Sequence, residues 1–203
     1  MEFVWGLIIV AGAYILGSFP TGYLVVKILK GQDIRQIGSG STGATNVKRV
    51  LGKWGFFGVL IVDAIKGLAA VLLAQYLQTK LNIYPELNLL PIFASIAVMV
   101  GHSKSIFLGF TGGKSVATTG GTIIGLNWLV ALIAFIIWSS ISYFSRYISL
   151  GSIIGVASLP ILMYIFHAPI SYVIYCAIAA IYVIYLHREN VKRLLSGTEN
   201  KVR

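Results

Sequence analysis

Charged residues are scarce in this sequence, and acidic residues are the scarcest of them. Only 11% of the 203 residues are charged, with 6 Asp or Glu against 16 Lys or Arg, while 57% are hydrophobic. Soluble domains carry about 25% charged residues, so this composition excludes an ordinary soluble protein and predicts an integral membrane protein. The positive excess favours anionic headgroups and anionic substrates. Without a soluble basic domain, nucleic acid is not an expected partner.

Cysteine and metal-ligating clusters are also nearly missing from the sequence. Cys176 is the single cysteine and lies inside an apolar run, so an intrachain disulfide is excluded. The sequence shows no His, Asp or Glu cluster with metal-ligand spacing and no plausible nucleophilic triad. The chemistry is therefore expected to need no metal, no cofactor and no covalent intermediate. Internal repeats are absent, and one domain is expected over residues 1–203.

Several apolar runs match the roughly 30 Å hydrocarbon core of a bilayer. We predict an all-α membrane bundle of seven transmembrane elements, with the N-terminus outside and the C-terminus inside. The elements cover 3–29, kinked at Pro20, then 54–77, 89–100, two within 116–143, 148–166 and 170–186. The run 116–143 is too long for one upright helix, so it crosses twice or dips in and returns.

Membrane topology follows from the basic residues. The seven-element arrangement puts every Lys and Arg on the cytoplasmic side except Lys80, which lies outside, and Lys66, which lies in the membrane. The positive-inside rule favours this arrangement over a single crossing at 116–143. Glu2, with no basic residue, precedes the first apolar run, which we therefore expect to be a retained span and not a signal peptide.

A glycine-rich and hydroxyl-rich stretch, GHSKSIFLGFTGGKSVATTGG, lies at 101–121 between two apolar runs. Successive glycines let backbone N–H groups converge on an anion, and the ammonium groups of Lys104 or Lys114 complete such a cradle. The GGKS segment lacks the spacing of a P-loop, so nucleotide hydrolysis is not indicated. Phosphate binding is the prediction, with His102 supporting the loop. The alternative is a flexible connection whose lysines only reflect topology.

A second glycine-rich loop follows the first span. Its residues 39–46, SGSTGATN, combine small and hydroxyl side chains, and Lys48 and Arg49 follow them. Such a segment suits a backbone nest for phosphate, and a guanidinium can bind two phosphate oxygens at once. Helix capping by Ser or Thr is the alternative explanation. Two such loops on one membrane face predict two phosphate groups, or one phosphate held from two sides.

Two pairs of polar side chains, each with a spacing of three residues, complete the candidate set. Asp63 and Lys66 share a face of the second span and are expected to form an ion pair, either structural or directly catalytic. His187 and Asn190 lie at the inner end of the last span and face the same way on a helical extension of it. His187 could act as a general base or orient a hydroxyl, with Asn190 as its partner, or simply cap the helix.

Three motifs occur in order: GSGSTGATNVKRVLG at 38–52, GHSKSIFLGFTGGKSVAT at 101–118, and HREN followed by KRLLSGTE within 187–199. Together they resemble the bacterial acyl-phosphate:glycerol-3-phosphate acyltransferase (PlsY) family. The resemblance extends to SFPTG at 18–22, to Asp63 with Lys66 and to Ser149 with Ser152. The sequence departs from the family pattern at Ser41, Thr111 and Ser115, and Lys104 stands at a variable position.

The resemblance implies transfer of a fatty acyl group from acyl phosphate to the 1-hydroxyl of sn-glycerol 3-phosphate, giving lysophosphatidic acid in phospholipid synthesis. It implies a monomer in contact with membrane lipids, in the bacterial cytoplasmic membrane, with the active site facing the cytoplasm. The expected catalytic residues are His187, Asn190 and Lys114. The expected phosphate-binding residues are Ser39, Gly40, Thr45, Asn46, Arg49, Lys104, Gly112, Gly113 and Ser149. Asp63, Lys66 and Glu199 are expected to be structural.

The expected mechanism is direct attack of the glycerol hydroxyl on the acyl carbonyl. The proton passes to His187 or to a substrate phosphate oxygen. Gly113→Ala is expected to weaken substrate binding by placing a methyl group where an anion lies. A transporter of phosphorylated small molecules is the alternative, because broken helices and mid-membrane charges also occur in transporters. The lack of an inverted repeat and the one-sided glycine motifs favour the enzyme.

Overall fold

Helices account for nearly all regular structure in residues 2–83 and 88–201, which a computed structural model describes. Within those ranges nine α-helices follow one another: α1 (Glu2–Ser18), α2 (Thr21–Lys30), α3 (Ala44–Leu81), α4 (Leu89–Ser103), α5 (Val116–Leu126), α6 (Trp128–Ser145), α7 (Ile148–Ile165), α8 (Ile170–Leu186) and α9 (Arg188–Leu195). The predicted all-α class is confirmed. The helices fall into two compact units, residues 1–125 and 126–203.

Four helical segments of the described ranges are long and apolar enough to cross a membrane, and the bent pair α8 and α9 makes a fifth candidate. The four are Glu2–Lys30, which joins α1 and α2, Ala44–Leu81, Trp128–Ser145 and Ile148–Ile165. Helices α4 and α5 are apolar but have only 15 and 11 residues. At about 1.5 Å per residue, α5 extends only about half of the hydrocarbon thickness.

Both predicted interruptions of apolar runs are present. Proline has no backbone N–H to continue a helix, and at Pro20 the chain passes from the end of α1 to the start of α2. The run 116–143 is divided at Asn127, whose side chain accepts a hydrogen bond from the Val130 N–H and caps α6. The long run therefore forms two helices and not one.

Small residues allow close helix packing in the first unit. A Cβ atom at Gly17 of α1 would meet the backbone of Val98 in α4, and one at Gly121 of α5 would meet the Ala64 carbonyl in α3. Lipid tails are as apolar as the helices, so association in a membrane depends on such close backbone approach. This packing sets the end of α4 and the start of α5 against the middle of α3.

In the second unit, α7 packs on α6 and α8, and the chain then bends. The Trp138 indole donates to Ser152 Oγ at 3.3 Å, which joins α6 to α7. Helix α9 leaves α8 at an angle of 62°, so the straight helical extension expected beyond His187 is wrong. Its physical cause is the end of the apolar run at Leu186, after which the charged residues of α9 no longer match the direction of an apolar helix.

Candidate functional site

One buried side chain organises the first glycine-rich loop. The Asn46 Nδ2 donates to the carbonyls of Ile37 at 2.8 Å and Ser41 at 2.9 Å, and lies 3.3 Å from that of Ile34. The Asn46 Oδ1 accepts from the Ser39 N–H at 3.2 Å. Asn46 was expected to bind phosphate, but its carboxamide is engaged on both sides by the loop backbone.

Around Asn46, the loop presents its other candidate groups to solvent. Ser39, Gly40, Thr45 and Arg49 are all exposed. The second arginine of this region, Arg35, is bound to Asp33, with Nη2 2.7 Å from Oδ2. That ion pair leaves Arg49 as the arginine of the loop best placed to receive an anion.

The second glycine-rich stretch is folded on itself by backbone hydrogen bonds. The Ser105 N–H donates to Thr111 at 3.2 Å, and the Phe110 N–H donates to Ser105 at 2.8 Å. The Ser105 hydroxyl donates in turn to the Ser18 carbonyl at the end of α1. This stretch is thus a structured loop, and the alternative of a flexible connection is wrong.

Gly113 lies against the ring of His102. Its N–H donates to the His102 carbonyl at 3.1 Å, and a Cβ atom added to Gly113 would collide with the imidazole Nε2. His102 therefore supports the loop, as predicted. The expected reason for a Gly113→Ala effect is wrong, because the methyl group would meet the imidazole. That variant would report on packing and not on an anion site.

The two lysines of this stretch differ in their surroundings. Lys104 is exposed and follows α4, while Lys114 is half-buried and lies two residues before α5 begins. The amides at a helix N-terminus carry a partial positive charge that favours an anion. An ammonium at that end adds to the same potential, so Lys114 is the better placed of the two lysines.

A buried ion pair connects α3 to the break between α1 and α2. The Lys66 Nζ lies 2.9 Å from the Asp63 Oδ1 and donates to the Phe19 carbonyl at 3.2 Å. The side chains of Lys66 and Asp63 are 5% and 3% exposed. The His102 Nδ1 lies 3.7 Å from the same Asp63 oxygen. The predicted pair is confirmed, and its bond to a carbonyl at a helix break favours the structural role.

In the second unit, Glu199 collects three donors from α7 and α9. Its Oε1 accepts from Ser149 Oγ at 2.8 Å and from Asn190 Nδ2 at 2.7 Å, and its Oε2 accepts from Arg193 Nε at 2.6 Å. The carboxylate thereby holds the C-terminal segment against the start of α7. Glu199 is structural, as expected.

His187 closes α8 and is buried. Its Nδ1 lies 2.8 Å from the Val183 carbonyl. A carbonyl oxygen can only accept, so Nδ1 carries a hydrogen. In a neutral ring this assigns Nε2 as the basic nitrogen. The ring therefore has the tautomer that a general base or a hydroxyl acceptor requires.

Comparison with known proteins agrees with these features. The family model described as glycerol-3-phosphate acyltransferase matches residues 7–197. The chain belongs to the glycerol-3-phosphate acyltransferase family. The glycerol-3-phosphate acyltransferase of Trichormus variabilis is 48% identical over 204 residues, covering 96% of this chain and 90% of the relative. Glycerol-3-phosphate acyltransferase 2 of Moorella thermoacetica is 48% identical over 199 residues, covering 98% of each chain.

Solved structures of the family share this fold. The crystal structure of PlsY, an integral membrane glycerol 3-phosphate acyltransferase, in its glycerol 3-phosphate form superposes with a TM-score of 0.90 at 35% identity, covering 98% of this chain and 96% of that chain. The lysophosphatidic acid form gives a TM-score of 0.87 at 33% identity, with 98% and 95% covered. Together with the apolar helices, this likeness makes the chain a multi-pass membrane protein.

The family's motif residues fall into two groups in the structure. The first unit holds Ser39, Gly40, Thr45, Asn46, Arg49, Asp63, Lys66, Lys104, Gly112, Gly113 and Lys114, and the second unit holds Ser149, His187, Asn190 and Glu199. Sequence reasoning missed Arg193, which binds Glu199. The available signal was its position three residues after Asn190 on an amphipathic helix, which places both side chains on one face.

The family's C-terminal Glu199 makes stability depend on pH. Burial alone would raise the pKa of Glu199, but hydrogen bonds from Asn190, Ser149 and Arg193 outweigh it and hold the pKa below the ordinary 4.5. A lowered folded-state pKa contributes stability above the unfolded pKa that is lost as pH falls through the folded value. We therefore expect the thermal unfolding midpoint in detergent to drop as pH falls below about 4.3.

Two variants separate Glu199 from the other carboxylates. Glu199→Gln should show a weaker fall of the midpoint in this pH range, since its side chain no longer titrates. Glu189→Gln is the matched control, because Glu189 pairs on the exposed surface with Lys192. An equal pH dependence in Glu199→Gln and in the unaltered protein would contradict the prediction.

Proposed function

We propose that this chain transfers a fatty acyl group from acyl phosphate to the 1-hydroxyl of sn-glycerol 3-phosphate, releasing lysophosphatidic acid and inorganic phosphate. The observation that carries the proposal is the family match over residues 7–197. It is supported by the likeness to PlsY structures in the glycerol 3-phosphate and lysophosphatidic acid forms. Acyl phosphate as the donor rests on the three sequence motifs.

In the proposal, the first loop binds a phosphoryl group. Arg49 supplies the guanidinium, which can form two parallel hydrogen bonds to phosphate oxygens. Ser39 adds a hydroxyl, and the exposed Gly40 and Thr45 let the backbone approach the anion closely. Support comes from the exposure of these residues and from the separate pairing of Arg35.

The second loop binds the other phosphoryl group in the proposal. Lys114 neutralises the charge that builds on the departing phosphate, with Gly112 at its side and Lys104 drawing the anion from solvent. A preorganised donor to such a developing charge contributes about 2.7 to 4 kcal/mol. Gly113 contributes to loop shape, since its N–H is already bonded to His102.

The second unit supplies the groups that orient the attacking hydroxyl. The glycerol oxygen forms a bond to the acyl carbon while the bond from that carbon to the phosphate oxygen breaks. The hydroxyl proton passes to His187 Nε2 or to an oxygen of the leaving phosphate. Ser149 and Asn190 hold the acceptor substrate and are themselves oriented by Glu199. Acyl phosphate is a reactive mixed anhydride, so this proposal includes no covalent enzyme intermediate.

The proposed setting is the bacterial cytoplasmic membrane, with seven transmembrane elements and the N-terminus outside. The site faces the cytoplasm, and the protein acts as a monomer in contact with membrane lipids. The distribution of Lys and Arg supports this orientation, because only Lys80 would lie outside. Helices α4 to α8 supply five of the seven elements.

The direct test is an assay with purified protein, a chelator and radiolabelled glycerol 3-phosphate. Palmitoyl phosphate and palmitoyl-CoA are offered in separate reactions. We expect labelled lysophosphatidic acid with palmitoyl phosphate only. Product with palmitoyl-CoA alone would overturn the proposed donor. No product with either donor would favour the transporter, which uptake of labelled glycerol 3-phosphate into proteoliposomes would then test.

A further inference from the structure

The first glycine-rich loop closes around a single carboxamide. Asn46 is 2% exposed and stands in the first turn of α3, directly after the loop. Its Nδ2 reaches the carbonyls of Ile34, Ile37 and Ser41, which come from both halves of the loop. One side chain therefore joins segments that are otherwise connected only along the chain.

The chemistry of this position requires an amide of this length. Three carbonyls on one side need an N–H donor, and the Ser39 N–H on the other side needs an acceptor. A carboxylate would place a second acceptor against the carbonyls, and an apolar side chain would leave all four backbone groups unsatisfied in a buried place. With both ends of the carboxamide engaged, Asn46 has little capacity left for a substrate.

The same turn touches Arg49. Gly38 has φ of +59°, in the left-handed region that suits glycine. A Cβ atom there would collide with both Asn46 Oδ1 and Arg49 Nη1. Asn46 and Arg49 are three residues apart on α3 and so share one face. The turn at Gly38 and Ser39 is thus enclosed between the buried amide and the exposed guanidinium.

We propose that Asn46 is a positioning residue, which fixes the Ser39 backbone and the Arg49 side chain before any substrate arrives and does not itself bind substrate. What Arg49 and Ser39 bind rests on the proposed function. The shape of the loop does not rest on it. The proposal therefore predicts an effect on the protein alone, which direct substrate binding by Asn46 would not produce.

The first measurement is limited trypsin digestion of the purified protein in detergent, without substrate. Cleavage after Arg35, identified by mass spectrometry, requires local opening of the loop, because Arg35 is held by Asp33 and lies over the Tyr23 ring. Loss of several buried hydrogen bonds should speed this cleavage in Asn46→Ala by about tenfold or more. Gln32→Ala, an exposed loop residue outside the proposed site, is the control and should digest at the unaltered rate.

Kinetics provide the second measurement. A loop that must be ordered on binding raises KM for glycerol 3-phosphate with little change in kcat, and this is expected for Asn46→Ala. Raised KM with unchanged digestion would mean that Asn46 binds substrate directly, and unchanged digestion and kinetics would mean that it does neither. Either result overturns the proposal. Faster digestion in a protein that makes no product, even unaltered, would support the positioning role and reject the acyltransferase function.

A second variant protects the test against misfolding. Gly38→Ala disturbs the same turn from the loop side and leaves Asn46 in place. It should also accelerate cleavage after Arg35, because its methyl group collides with Asn46 and Arg49. If Asn46→Ala does not elute as a folded species, normal digestion of folded Gly38→Ala would overturn the proposal.

Discussion

Lys66→Met is expected to lower the free energy of unfolding by about 3–5 kcal/mol, because it leaves a buried carboxylate without its partner. In the structure the Lys66 ammonium is 2.9 Å from Asp63 and also donates to the Phe19 carbonyl. Both bonds are lost together in the variant. The measurement is the unfolding transition in detergent, followed by circular dichroism.

The double variant Asp63→Asn with Lys66→Met is the control for charge. It removes both charges, so it should be clearly more stable than Lys66→Met alone. Recovery should be incomplete, because the Phe19 carbonyl still lacks its ammonium donor. A Lys66→Met protein as stable as the unaltered one, or a double variant no better than the single, would contradict a structural ion pair.

Arg49→Ala is expected to reduce kcat/KM for glycerol 3-phosphate by about 100-fold or more. A hydrogen bond to a charged group contributes about 1.5–3 kcal/mol, and a guanidinium can form two of them with one phosphate. Steady-state kinetics with a saturating acyl donor give the value. The matched control is Arg35→Ala, which removes an arginine of the same loop that is already paired with Asp33.

The two arginines differ in what they have available for an anion. Arg35→Ala should retain kcat/KM within a few fold, since its charge is offset by Asp33. Equal losses in the two variants would show a general effect of positive charge on this loop and would contradict a specific role of Arg49. High salt offers a further check, because general attraction is screened over about 10 Å at 0.1 M.

Local features were predictable because they depend on residues close in sequence. Pro20 ends a helix wherever the fold places it, since it has no N–H to donate. Asp63 and Lys66 could be paired from a spacing of three residues, and the structure has that pair. The apolar run 116–143 could be recognised as two helices from its length, and the boundary lies at the polar Asn127.

Residues of similar type were harder to assign, because their roles depend on distant partners. Asn46 and Arg49 stand in one motif, yet one is buried in the loop and the other is exposed. Glu199 receives a hydrogen bond from Ser149, which lies 50 residues earlier in the chain. Such contacts leave no periodic signal in the sequence.

The sequence by itself determined the membrane setting, the helical class, the positions of the helix breaks and the family. All of these follow from apolar length, local backbone chemistry or ordered motifs. Only the tertiary structure decided that Asn46 shapes its loop, that Gly113 packs on His102 and that Glu199 joins α7 to α9. The physical reason is that burial and hydrogen-bond partners are properties of the packed chain, and a side chain's chemical type specifies neither.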